Sequence, residues 1–220
     1  MVFENFPWYV WAFTLFGVVG MPLATAIVLR RVGLGFAALW TVWIGLSWAL
    51  AEHGAYLADP REPRLGLPLA LFGSFVVLLL ATRIPAVQRI LAEPRMPARL
   101  AWPQMFRVVG GVFLVVMGLG GLPMAFALPA GLGDVAIGFA APFVARGASR
   151  SRLIWFNIFG ILDLVVAVTV GFLAGQGPLQ LLHVAPSTLA LTELPLALIP
   201  TTGVSLALAL HVTSLRLLRR

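Results

Sequence analysis

Seven stretches of this sequence are apolar for long enough, or nearly long enough, to cross a bilayer, and little is left between them. A hydrocarbon core about 30 Å thick needs about 20 apolar residues per helix, with a range of roughly 17–25. The stretches run over residues 8–29, 33–58, 65–82, 102–127, 129–145, 153–174 and 194–218. Lipid offers no water to the backbone, so each stretch must close its hydrogen bonds internally as a helix. The expected fold class is all-α: one polytopic membrane bundle of seven transmembrane helices, a single domain over 1–220. Composition agrees, since only 10% of the residues are charged against about 25% in a soluble domain.

The charged residues orient the bundle. All basic residues are Arg, 15 in number, and they gather in the connections. Cytoplasmic loops are enriched in basic residues. One side receives twelve: Arg30, Arg31, Arg83, Arg89, Arg95, Arg99, Arg146, Arg150, Arg152, Arg216, Arg219 and Arg220. The other receives Arg61 and Arg64 only, in a polar loop with two prolines over residues 59–64. This predicts the N-terminus outside and the C-terminus inside. Trp8, Tyr9, Trp11, Trp102 and Trp155 fall where interfacial aromatic belts form. Exclusive use of Arg points to a GC-rich bacterial genome, and hence to the bacterial inner membrane. Residues 1–7 hold Glu4 and no basic residue, unlike the start of a signal peptide.

Several chemistries are excluded. The chain has no Cys, so it has no disulfide, thiolate metal site, iron–sulfur cluster or thioether-bound haem. It has no Lys, so no retinal Schiff base forms. The arginines flank apolar segments instead of sharing one face, which argues against nucleic acid.

Three ionisable residues remain inside apolar segments: Arg107, Asp134 and Asp163. Packed helix faces in lipid are marked by small residues. At α-helical spacing Arg107 shares a row with Gly111, Leu114, Gly118 and Gly121; Asp134 with Gly131, Gly138, Ala141 and Ala145; and Asp163 with Gly160, Ala167 and Gly171. Asp134 lies twelve residues before Arg146 and Asp163 eleven after Arg152. At ~1.5 Å per residue both acids are roughly 16–18 Å from the inner boundary, near the midplane. A charge there costs about 2.5–3.5 kcal/mol on insertion scales. Two readings follow. Arg107 clamps the acids and locks three helices together, or the group lines a path on which one unpaired Asp exchanges a proton.

Weaker candidates lie elsewhere. Glu52, His53, His183 and Glu193 are expected near the outer boundary and His211 in the inner third. His53 and His183 share a side and offer two imidazoles for a metal or haem iron, without any local ligand spacing. Ser187, Thr188, Thr192 and Glu193 near His183 form no nucleophile–base arrangement, and the chain is not expected to be an enzyme. Residues 129–134, Pro-Ala-Gly-Leu-Gly-Asp, read as a tight turn joining the fourth and fifth segments, or as a ligand loop. Gly17 to Ala24 and Gly118 to Ala125 resemble each other in oppositely directed segments, which suggests an inverted repeat of the kind transporters carry. Residues 83–99 are expected as a short surface helix or a solvated basic loop, and the apolar residues 176–193 as a cover over the bundle mouth.

The expected partners are the lipid bilayer and a small solute, ion or proton moving along the polar path. The alternative is a non-catalytic subunit of a larger membrane complex beside a haem, quinone or pigment. No specific cofactor is legible.

Overall fold

The computed structural model describes residues 6–57, 65–175 and 180–219. Arg61, Arg64, Arg220, the rest of the 59–64 loop and residues 176–179 lie outside the described residues. Every regular element among the described residues is helical. Apart from short 3-10 turns at Arg30–Val32 and Leu189–Thr192, in order these are α1 (Trp8–Leu29), α2 (Gly33–Glu52), α3 (Gly66–Ala81), α4 (Pro85–Leu91), α5 (Met96–Arg99), a 3-10 segment (Trp102–Gly111), α6 (Val112–Gly118), α7 (Met124–Ala145), α8 (Arg150–Leu173), a π-helical turn (Ile199–Val204) and α9 (Ser205–Leu218). Five helical stretches are long and apolar enough to cross a membrane, or six if α3 and α4, bent by 80°, count as one. That is the pattern of a multi-pass membrane protein.

The first of these stretches, Trp8–Glu52, is not one straight rod. The rings of Trp11 and Trp48 lie 5.4 Å apart, whereas a straight helix would separate them by about 55 Å. The chain turns back at Arg30, whose φ is 50°, and α1 and α2 run antiparallel. Gly17 and Gly20 let the 3-10 segment approach α1 closely: a Cβ on either would fall within 3.0 Å of Val109 or Phe106.

The arginine-rich connections meet at one end of the bundle. Arg30 and Arg99 both pair with Glu93, at 3.0 and 2.7 Å. Arg146 stacks over Trp102, Arg150 donates to the Leu218 carbonyl, and Ser214 donates to the Pro97 carbonyl. Residues 83–99 form two short helices, of which Leu91 and Met96 are buried while Arg83 and Arg89 stay exposed. At the opposite end residues 189–198 fold into the core against Val10, Phe113 and Phe126. Thr188 caps α8 by donating to the Gly171 carbonyl at 2.7 Å.

Two sequence expectations fail. The connection between the fourth and fifth segments is at residues 119–123, not 129–134. Gly120, at φ +78°, supplies the left-handed turn, and Pro123 precedes the first turn of α7, where a missing N–H costs nothing. Residues 129–134 lie within α7 as helix, neither turn nor ligand loop. The matched Gly/Pro pair also takes two different forms. Pro22 sits inside an unbroken α1, while its counterpart Pro123 follows a break, so the motif marks no equivalent pair of interrupted helices.

Candidate functional site

The 3-10 segment sets the direction of Arg107. With three residues per turn, Gln104, Arg107 and Gly110 stack on one face, and all three are buried. The α-helical row through Gly111 and Gly118 is therefore not the face that carries Arg107. A Cβ on Gly118 would touch nothing within 4 Å. The α7 row does pack as a close contact: Gly131 faces Leu114, and Gly138 faces the backbone of Arg107 and Val108.

The structure brings Arg107, Asp134, Asp163 and His211 together. Arg107 Nε donates to Asp134 Oδ1 at 2.6 Å, and Nη2 donates to Asp163 Oδ2. Nη1 donates to the Gly160 carbonyl at 3.4 Å and faces His211 Nε2 at 3.2 Å. A guanidinium has no acceptor, so His211 Nε2 must accept and carries no proton. His211 Nδ1 then donates to Asn157 Oδ1 at 2.9 Å. The imidazole is neutral, with its proton on Nδ1. Asn157 Nδ2 donates to Ser214 Oγ at 3.0 Å, and Ser214 donates onward to Pro97. Every member of this chain has one consistent direction, from the guanidinium to the arginine-rich end.

Glycines carve the seats for these groups. A Cβ at Gly110 would overlap the Asp134 carboxylate, one at Gly133 would overlap Asp163 Oδ1, and one at Gly160 would overlap the His211 ring. Each polar group thus fills the volume that an alanine on the neighbouring helix would take. Close approach of this kind is what small residues provide in lipid, where hydrophobic driving force between helices is absent.

Charge does not balance within the cluster. One guanidinium faces two carboxylates and a neutral imidazole. Two ionised acids would leave a buried net charge of −1, which a single proton removes. Beside Arg107 and Asp134 lies a small cavity of ≈ 50 Å³, walled by α1, the 3-10 segment, and the π-turn with the start of α9. A water needs about 10–15 Å³ of such space and two to four polar partners, so a few waters fit and an organic solute does not. The amide of Asn157 donates and accepts hydrogen bonds without titrating, so the chain beyond His211 holds position and does not conduct protons by itself.

The outer candidates do not converge on a comparable site. Trp48 donates to Glu52 at 2.8 Å. His53 Nδ1 meets the Ala49 carbonyl at 2.8 Å, closing the end of α2. His183 is exposed and Glu193 half-buried, and burial pushes the Glu193 carboxyl up from its ordinary range. Among the described residues no group of three His, Cys, Asp or Glu stands close enough to hold a metal.

Asn157, Ser214 and the glycines at 110 and 133 were not singled out from sequence. The signal is in pairs three apart, Asn157 with Gly160 and Gly160 with Asp163 on α8 and His211 with Ser214 on α9, the members of each pair being neighbours on a helix surface.

A family model for a domain of unknown function, DUF8737, matches residues 64–219. The chain belongs to this DUF8737 family. The matched region contains all four groups of the cluster, while α1 and α2 precede it. No curated protein and no solved structure matches the chain.

Proposed function

We propose that the protein is a seven-span bacterial inner-membrane protein, N-terminus out and C-terminus in, that exchanges a proton at the Arg107–Asp134–Asp163 cluster. The observation that carries this reading is that two carboxylates share one guanidinium and a neutral His211. The adjoining cavity has room for a few waters or a small ion and none for an organic solute, and the one-proton charge deficit of the cluster favours the proton. The antiparallel α1 and α2, with α3 as a further span, support the seven-span count. The meeting of Arg30, Arg99, Arg146 and Arg150 at one end supports the orientation. The test is proton flux in proteoliposomes with an internal pH dye. Wild-type protein should dissipate a pH gradient, and Asp134→Asn and Asp163→Asn should each change the rate. Equal rates in all three and in empty vesicles would refute the proposal.

A second reading is an immobile clamp within a subunit of a larger membrane complex. It is favoured by the engagement of all three Arg107 side-chain nitrogens, with Asp134, Asp163, Gly160 and His211. A stoichiometric partner retained in mild detergent, with no flux, would select it.

A further inference from the structure

Asp134 and Asp163 are not equivalent. Asp134 lines the cavity and Asp163 does not. Among the described residues each acid spends one oxygen on Arg107, Oδ1 of Asp134 and Oδ2 of Asp163, so each keeps one oxygen without a protein partner, and the cavity lining is what sets Asp134 apart. Across the cavity stands Thr14 of α1. Its side chain is fully buried, and its hydroxyl has no hydrogen-bond partner. A mid-helix threonine usually satisfies itself on the carbonyl four residues back, as Thr25 does on Met21 here. Thr14 does not. A buried hydroxyl left unpaired is destabilising. Thr14, with its orphaned hydroxyl, and Asp134, with its open oxygen, therefore both line a cavity that has room for a few waters.

We propose that this cavity is a water site that bridges Thr14 to Asp134 and makes Asp134, not Asp163, the carboxylate that gains and loses the proton. The proposal rests on the proton-exchange reading and deepens it. The charged and titratable groups facing Asp134 are Arg107 from the 3-10 segment and Asp163 from α8, with His211 of α9 reaching it only through Arg107. The step is simple. A hydrated proton in the cavity gives up one O–H bond, Asp134 Oδ2 gains it, and a neutral water remains held by Thr14. Arg107 keeps Oδ1 and Asp163 throughout, so the guanidinium needs no new partner when the proton arrives. Thr14 is then a positioning residue, acting on Asp134 through water.

The experiment is infrared spectroscopy of the full chain reconstituted in lipid, following the carbonyl stretch of a protonated carboxylic acid and its shift in deuterium oxide. Wild type should show the band. Asp134→Asn should lose it, and Asp163→Asn should keep it. Thr14→Val should slow its deuterium shift roughly tenfold, the weight of one hydrogen bond, and Thr14→Ser should restore the wild-type rate. A band lost in Asp163→Asn but kept in Asp134→Asn would overturn the assignment, as would a wild-type rate in Thr14→Val. Absence of the band in wild type across the pH range would instead sink proton exchange itself, together with the water site. If Asp134→Asn fails to fold, the Thr14→Val and Thr14→Ser pair decides the matter.

Discussion

Gly133→Ala should destabilise this protein although the residue lies within a regular helix. In the interior of α7 an alanine would ordinarily be favoured over glycine by about 0.5–1 kcal/mol, because glycine has more backbone freedom to lose. Here the added methyl lands on Asp163 Oδ1, far inside contact distance. Backbone cannot yield without separating α7 from α8, so the carboxylate must move, and it moves away from Arg107 Nη2. A hydrogen bond to a charged group contributes about 1.5–3 kcal/mol. Interhelical hydrogen bonds in lipid average nearer ~0.6 kcal/mol, because loosened helices still find partners. The bond lost here joins a guanidinium to a carboxylate, so the charged-group range applies, and a loss of about 1.5–3 against a gain of about 0.5–1 leaves a net destabilisation of roughly 0.5–2.5 kcal/mol. The assay is thermal or SDS-induced unfolding in one detergent, with Gly118→Ala as the control. Gly118 is helical too, and a Cβ there meets nothing within 4 Å. The control should be neutral or slightly stabilised. Equal stability of the two variants would refute the idea that glycines seat the charges.

Other outcomes follow from the same geometry. Arg107→Met removes the shared partner of two buried acids and should cost about 3–5 kcal/mol; adding Asp134→Asn and Asp163→Asn to it should recover much of the loss in the same unfolding assay. His211→Phe keeps an aromatic ring, though a larger one, and leaves one N–H of Arg107 Nη1 and Asn157 Oδ1 without their partner, a loss of about 1–3 kcal/mol or more that unfolding would detect; unchanged stability would mean the chain to Ser214 is dispensable. Glu193 holds its proton more tightly when folded because burial raises its carboxyl. Its contribution is therefore complete below the ordinary carboxylate range and lost as pH rises through its raised value, and a Glu193→Gln variant should lose that slope in melting temperature. Topology reporters fused after residues 31 and 149 should read cytoplasmic, and one within residues 59–64 should read periplasmic.

The membrane class and most helix limits were legible because length and apolarity are all a bilayer asks of a segment. The limits failed where backbone geometry overrides apolarity. Residues 119–128 look like one continuous helix, yet the Gly120 turn cuts it. The three buried charges stood out for the same reason, as the least soluble groups in lipid. Their pairing with one another is one of the two readings the sequence offers, whereas His211 and Asn157 are not legible as partners, because 3.6-residue spacing misdirects Arg107 where the chain winds at three. Sequence position places His211 by depth alone, apart from the cluster. Its contact with Arg107 depends on how α9 crosses α8, which no local pattern encodes.

The cluster also has an order of arrival. Arg107 enters the bilayer first and lacks its nearest counter-charge until Asp134 emerges, 27 residues later. Asp163 follows at a separation of 56 and His211 at 104. A nascent chain therefore carries the arginine through the insertion machinery as an unpaid debt in lipid, settled stepwise by each new helix. Truncation before α9 would remove His211 and leave one N–H of the central arginine without the partner it has in the folded protein.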